Sequence, residues 1–227
     1  SHEVHQFFSR NRKKMMQAVE ASLKRLRTDY IDLYWVHIWD QLTPVEEVMR
    51  GLDDLVRAAK VLYVGISDAP AWWIAQANTL AQLRGWAPFI GLQLEYRLIE
   101  RTVERELIPM AKALGIGVTA WSPLANGVLT GKYHGRGSFE PGRLNSDMMK
   151  GFLPELKRTD RIVAAVKNAS DETGRSMAQV ALATLSAEQL KTLDEASRIE
   201  LGFPYDFYTR EMVRSICYGG LRDQILA

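Results

Sequence analysis

The sequence predicts an α/β fold on a parallel sheet, a (β/α)8 TIM-type barrel present as a partial barrel. Three observations carry this expectation. Four helix–strand units follow one another between about Lys13 and Trp121 at a spacing of roughly 27–31 residues, each strand with an apolar body and a polar end. Apolar residues run almost unbroken from Tyr30 to Val36, the pattern of a strand covered on both faces. No Gly-x-Gly-x-x-Gly loop opens any of the helices, which favours a barrel over a doubly wound sheet.

The elements follow in order. Met15, Met16, Val19, Leu23 and Leu26 form the apolar stripe of a helix over about 13–27, which leads into the strand ending at His37. Thr43-Pro44-Val45-Glu46 is a helix start: Thr43 can cap, Pro44 suits the first helical position and Glu46 completes a capping box. Val45, Val48, Met49, Leu52, Leu55 and Val56 then share one face. A strand over 61–66 ends in Gly65-Ile66-Ser67-Asp68, and a helix rich in Trp and Ala over about 71–83 leads to a strand over 89–95. A helix over about 102–114 stops at Gly115, and a fourth strand covers 116–121. From Ser122 to about Lys157 the chain is rich in Gly, Pro and Asn, a length that is usually functional or disordered when it carries no regular elements. Helices are expected over 160–173 and 176–185, the second with Ser176 and Gln179 as a capping box, and a third begins at Ser186 with Gln189 as its box. The whole of 1–227 reads as one domain, with a poorly patterned leader over 1–12 and a tail over 200–227 whose aromatics wrap the core. A closed barrel needs eight strands, and only four are convincing here.

Bulk properties narrow the function. With 29 Lys+Arg against 27 Asp+Glu the net charge is +2, which gives no electrostatic reason to expect nucleic acid or an anionic membrane as partner. No apolar run reaches the ~18 residues of a spanning helix and no signal peptide is visible. The single cysteine, Cys217, forms no intramolecular disulfide, so a cytoplasmic protein is expected. His2, His5, His37 and His134 with that cysteine show no metal-ligand spacing, so no metal is expected.

In parallel α/β sheets chemistry collects where strands end, and there the motifs become specific. Leu23-Lys24-Arg25-Leu26, then Thr28 to Tyr34 and His37, resemble the central signature of the aldo-keto reductases. So do Lys60-Val61-Leu62-Tyr63-Val64-Gly65-Ile66-Ser67, Gln93-Leu94-Glu95-Tyr96, Trp121-Ser122-Pro123-Leu124 and Gly127 to Tyr133. The resemblance runs from about Met15 to Phe207 and is specific in combination. It implies a (β/α)8 barrel that uses NADPH (NADP) to reduce aldehydes and ketones to alcohols by hydride transfer, with a small carbonyl compound as substrate.

Position by position, the resemblance makes His37 the active-site histidine, which orients the carbonyl and supports proton transfer; a core histidine held by hydrogen bonds is the other reading. Ser67, Asp68 and Gln93 match the trio that holds the nicotinamide carboxamide. Position 68 departs from the family, which has Asn there: an ionised Asp only accepts, so Asp68 either accepts from the carboxamide NH2 or caps the next helix. Trp121 matches the ring that stacks on the nicotinamide, or is a core tryptophan. Ser122, Leu124, Gly127, Leu129 and Lys132 match the loop around the pyrophosphate, where glycine lets backbone N–H groups approach and lysine supplies charge; a plain flexible loop is the alternative. Trp39 faces the substrate pocket by analogy, or packs on the surface or in the core.

The family's catalytic Asp, Tyr and Lys belong to strands expected before Met15, and the fourteen residues there contain no tyrosine. The eighth strand and the segment that grips the adenosine 2'-phosphate are not found after Leu185. A second expectation is therefore a non-catalytic binding or regulatory subunit that keeps part of the fold. Open sheet edges would then favour pairing with a second copy, a homo-oligomer.

Overall fold

A computed structural model describes residues 12–133, 156–182 and 187–213. They group into two compact units, Ser1–Glu95 with Glu106–Trp121, and Tyr96–Arg105 with Ser122–Ala227.

The first unit is four consecutive strand–helix repeats. Helix α1 (Arg12–Leu26) precedes β1 (Ile31–Val36), followed by α2 (Val45–Arg57), β2 (Val61–Ser67), α3 (Ala71–Arg84), β3 (Phe89–Glu95), α4 (Leu107–Ala113) and β4 (Gly117–Trp121). The sheet is wholly parallel in the order β1-β2-β3-β4. Each crossover runs through an α-helix, the third with a 3-10 turn ahead of it, and neighbouring helices touch in chain order. This is the α/β architecture of a (β/α)8 barrel, represented by four of its repeats.

Period-two alternation gives the sheet two different faces. Val36, Ile66, Leu92 and Leu94 are buried on one face, where Val48, Met49, Leu52, Trp73, Ile74 and Ala77 of the helices are also removed from water. On the other face Trp35, Gly65, Gly91 and Gly117 form one cross-strand row. A Cβ on Gly65 would stand 2.5 Å from Trp35 Cε3, and one on Gly91 2.9 Å from Trp35 Cη2. The glycines are the room into which the indole fits. Two residues further along the same face come Ser67, Gln93 and Thr119, again in one row.

Two polar clamps fasten this unit. Asn78, buried in α3, donates from Nδ2 to the Phe89 carbonyl and accepts the Phe89 N–H at Oδ1, each at 2.9 Å. Buried Asp53 accepts the Ala87 N–H at 3.1 Å and Arg57 Nε–H at 2.5 Å. Buried polar groups are tolerated when satisfied in this way.

Several expectations needed correction. The strand before His37 is not covered on both faces: Tyr30 is exposed and Val36 alone of β1 is fully buried. The capping box at Thr43 does not form. Asp40 captures Thr43 first, accepting its N–H at 2.9 Å and its hydroxyl at 2.6 Å, and α2 begins after Pro44 with no side-chain cap. The helix over 102–114 is broken into a 3-10 turn at Thr102–Glu104 and α4. Pro109 has no N–H to give the Arg105 carbonyl, so one continuous helix cannot form, whereas the first turn of α4 tolerates it. Gly115 does close that segment, with φ 65°.

The second unit contains a 3-10 segment (Ala125–Thr130), α5 (Leu156–Thr173), α6 (Met177–Leu182), α7 (Ala187–Ser197) and the short α8 (Tyr205–Tyr208). Ile99, Val128, Leu129, Ile162, Val166 and Val180 form its apolar core. The capping box of α6 is present: Ser176 N–H donates to Gln179 Oε1 at 2.9 Å and Gln179 N–H to Ser176 Oγ at 3.3 Å. The capping box expected at Ser186, most of the stretch to Lys157, and His2, His5, His134 and Cys217 lie outside the described residues. Among the described residues no helix is long and apolar enough to cross a membrane, and no cluster of side chains could hold a metal.

Candidate active site

The first unit gathers His37, Trp39, Ser67, Asp68, Gln93 and Trp121 at the C-terminal ends of its strands. His37 is the residue after β1 and is exposed. Ser67 and Gln93 are direct register partners on β2 and β3. In a parallel pair such partners project to the same face. Ser67 is 1% exposed, and its Oγ has no hydrogen-bond partner among the described residues. A buried hydroxyl without a partner costs roughly 1–3 kcal/mol, so Ser67 does not stabilise the fold through this hydroxyl.

Asp68 follows with φ 46°, a left-handed conformation that Asp and Asn adopt more readily than other side chains. Its carbonyl accepts the Trp39 N–H at 3.4 Å. Its carboxylate accepts the Trp121 indole N–H, with Nε1 3.2 Å from Oδ1. It does not cap α3, whose N-cap is Pro70 without a side-chain bond. Trp121 is thus a half-buried ring held by its edge rather than a core tryptophan. The Trp39 ring packs edge-on against Trp72 of α3, with centroids 5.5 Å apart and planes at 90°.

The second unit carries Ser122, Leu124, Gly127, Leu129 and Lys132. Left-handed residues dominate the segment: Ser122 φ 51°, Ala125 φ 51°, Asn126 φ 54° and Gly127 φ 94°. It is therefore a specified turn rather than a plain flexible loop. The Gly127 N–H donates to the Leu124 carbonyl at 2.9 Å, as the Leu129 N–H does at 3.3 Å and the Ala125 N–H to Ser122 at 2.9 Å. Those amides are committed within the turn. Leu129 is fully buried in the core, so its side chain supports the turn from beneath. A Cβ on Gly127 would meet Lys132 Cε at 2.5 Å, so the absence of a side chain lets the lysine fold back over the turn. The exposed Lys132 ammonium lies 4.7 Å from the Tyr133 ring centroid.

A charged network in this unit was not anticipated. Tyr96 Oη–H donates to Glu104 Oε1 at 2.7 Å, and Arg101 donates to both Glu104 oxygens, at 2.7 and 2.9 Å. Arg101 also reaches Ser197 Oγ and Asp194, each at 2.8 Å, and Asp194 pairs with Arg198. It forms one wall of a cavity of about 320 Å³ whose other sides include Leu98, Pro123, Val180 and Leu193. Arg101–Glu104 and Asp194–Arg198 are pairs at helical spacing, but the link from Arg101 to Asp194 and Ser197 joins distant parts of the chain. The Trp35 fit was also missed, although a Trp beside strands with interior glycines was its available signal.

The aldo/keto reductase family model matches residues 3–193, and the chain belongs to that family. It is 31% identical to norsolorinic acid reductase A of Aspergillus parasiticus, covering 88% of this chain and 57% of that protein. It is likewise 31% identical to an aryl-alcohol dehydrogenase [NADP(+)] of Phanerodontia chrysosporium, over 88% of this chain and 60% of the relative. The chain thus spans less than two thirds of the length of these relatives. A glycerol dehydrogenase from Gluconobacter oxydans has a similar fold, with a TM-score of 0.70 and 24% identity over 83% of this chain and 64% of that structure.

Proposed function

We propose that the chain is part of an NADPH-dependent reductase of aldehydes and ketones. The observation that carries this reading is the buried Ser67 hydroxyl without a partner, in register with the Gln93 amide. Together they offer a donor and acceptor pair on one face of the sheet, the chemistry a planar carboxamide requires. Trp121 presents a ring beside them whose orientation is fixed by Asp68. These residues fit a nicotinamide, which when bound supplies the hydride that turns a carbonyl into an alcohol.

The chain's own contributions are binding and orientation. Ser67 and Gln93 hold the carboxamide edge and Trp121 offers an apolar face. His37, exposed just past β1, offers an imidazole N–H to a substrate oxygen, which orients the carbonyl and supports proton delivery to it. Trp39, edge-on to Trp72, borders the substrate.

Fluorescence titration of NADPH against the 227-residue chain tests the reading. Binding that weakens about tenfold in Ser67→Ala, the worth of one buried hydrogen bond, is the expected result. Unchanged binding in Ser67→Ala, or none in the wild type, would overturn it.

A further inference from the structure

We infer that Asp68 biases this site toward the oxidised dinucleotide, so that the chain is matched to alcohol oxidation as much as to carbonyl reduction. The inference rests on reading Ser67, Gln93 and Trp121 as the nicotinamide cradle. Asp68 follows Ser67 directly, and its carboxylate contacts the edge of the Trp121 ring at 3.2 Å. The nicotinamide ring is neutral in NADPH and carries a positive charge in NADP+. The two forms present the same phosphates and the same adenosine, so a fixed charge beside the ring separates them by electrostatics alone.

A carboxylate there attracts the cationic ring and is indifferent to the neutral one. The indole N–H is a neutral donor and leaves the carboxylate's charge in place. No cation lies within 4.0 Å of Asp68 among the described residues to cancel it. Its backbone is held in the left-handed region, with its carbonyl accepting from Trp39, so the side chain starts from a constrained origin. Oxidation would pass a hydride from an alcohol carbon to NADP+ and release the hydroxyl proton, leaving a carbonyl compound and NADPH. The substrate class on this side is therefore a primary or secondary alcohol.

The test is the ratio of dissociation constants, Kd(NADPH)/Kd(NADP+), measured by titration without any turnover. Asp68→Asn is nearly isosteric, keeps an oxygen that can accept from Trp121, and suits the left-handed backbone. Any gain in carboxamide binding by the new amide acts on both forms and cancels in the ratio. Because Asp68 is exposed and screened, the ratio is expected to fall by only about three- to tenfold in the variant. In the wild type the ratio is expected to fall as salt is raised, a measurement that stands even if the variant does not fold. A ratio unchanged in folded Asp68→Asn, or insensitive to salt in the wild type, overturns the inference and leaves the cradle intact. Failure of the wild type to bind either form overturns the cradle reading and the inference with it.

Discussion

Trp35 occupies the space that a side chain on Gly65 would need, since a Cβ there would stand 2.5 Å from Trp35 Cε3. The two are register partners, one layer beneath the row that holds Ser67 and Gln93. An aromatic ring built into the sheet cannot retreat as the tip of a flexible chain could. Gly65→Ala is therefore expected to destabilise the first unit by about 1–3 kcal/mol. In a Trp35→Leu background the same change should cost much less, and a double-mutant cycle in urea would read the coupling directly. Additive effects of the two changes would show that ring and glycine do not constrain each other.

Alkaline titration should report on the second unit. Burial, with the hydrogen bond to Glu104, pushes the Tyr96 phenol up from 10.0 to about 12. The folded value lies above the unfolded one, so this contribution to stability is complete below about pH 10 and is lost as pH rises through about 12. Tyrosinate absorbance should show a late-ionising component that is missing in Tyr96→Phe and moves toward the ordinary value in Glu104→Gln. Uniform ionisation of the tyrosines near 10 would contradict it.

On the acid side the relevant group is Asp194, whose carboxyl is held below its ordinary value by Arg198 first and Arg101 second. Its contribution is present above the ordinary carboxylate range and lost as pH falls through the lowered value. Asp194→Asn is expected to cost under about 1 kcal/mol near neutrality, as befits a partly exposed pair. The gap between variant and wild type should close in acid, and a gap that persists there would point to packing instead of charge.

Ser176→Ala removes the hydroxyl that accepts the Gln179 N–H at the start of α6. A loss of about 1 kcal/mol is expected from thermal melts followed by circular dichroism. A Ser176→Thr protein should keep most of that stability, because its hydroxyl can accept the same bond.

Much of this was legible in the residues, for reasons that can be located. The bounds of β3 at Phe89 and Glu95 and the box at Ser176 are local patterns, and local patterns survive folding. Thr43 failed as a cap because an equally local competitor, Asp40, stands three residues earlier. The pairing of Ser67 with Gln93 was not legible, since period-two alternation assigns faces within a strand and says nothing about alignment between strands. The Arg101–Glu104 pair has helical spacing, but nothing local joins Arg101 to Asp194 or Trp121 to Asp68, which stand far apart in sequence.

The Asn78 amide bears on a residue it never touches. Between Phe89, which it grips from both sides, and Gly91, β3 takes in one residue more than β2 does, at Ile90. Sliding by a single position would turn Gln93 toward the helices and bring Leu92 or Leu94 inward, so that Ser67 and Gln93 no longer share a face. The orientation of Gln93 is thus decided at the far end of the strand, and random mutagenesis scored for cofactor binding should recover Asn78 as readily as residues at the rim.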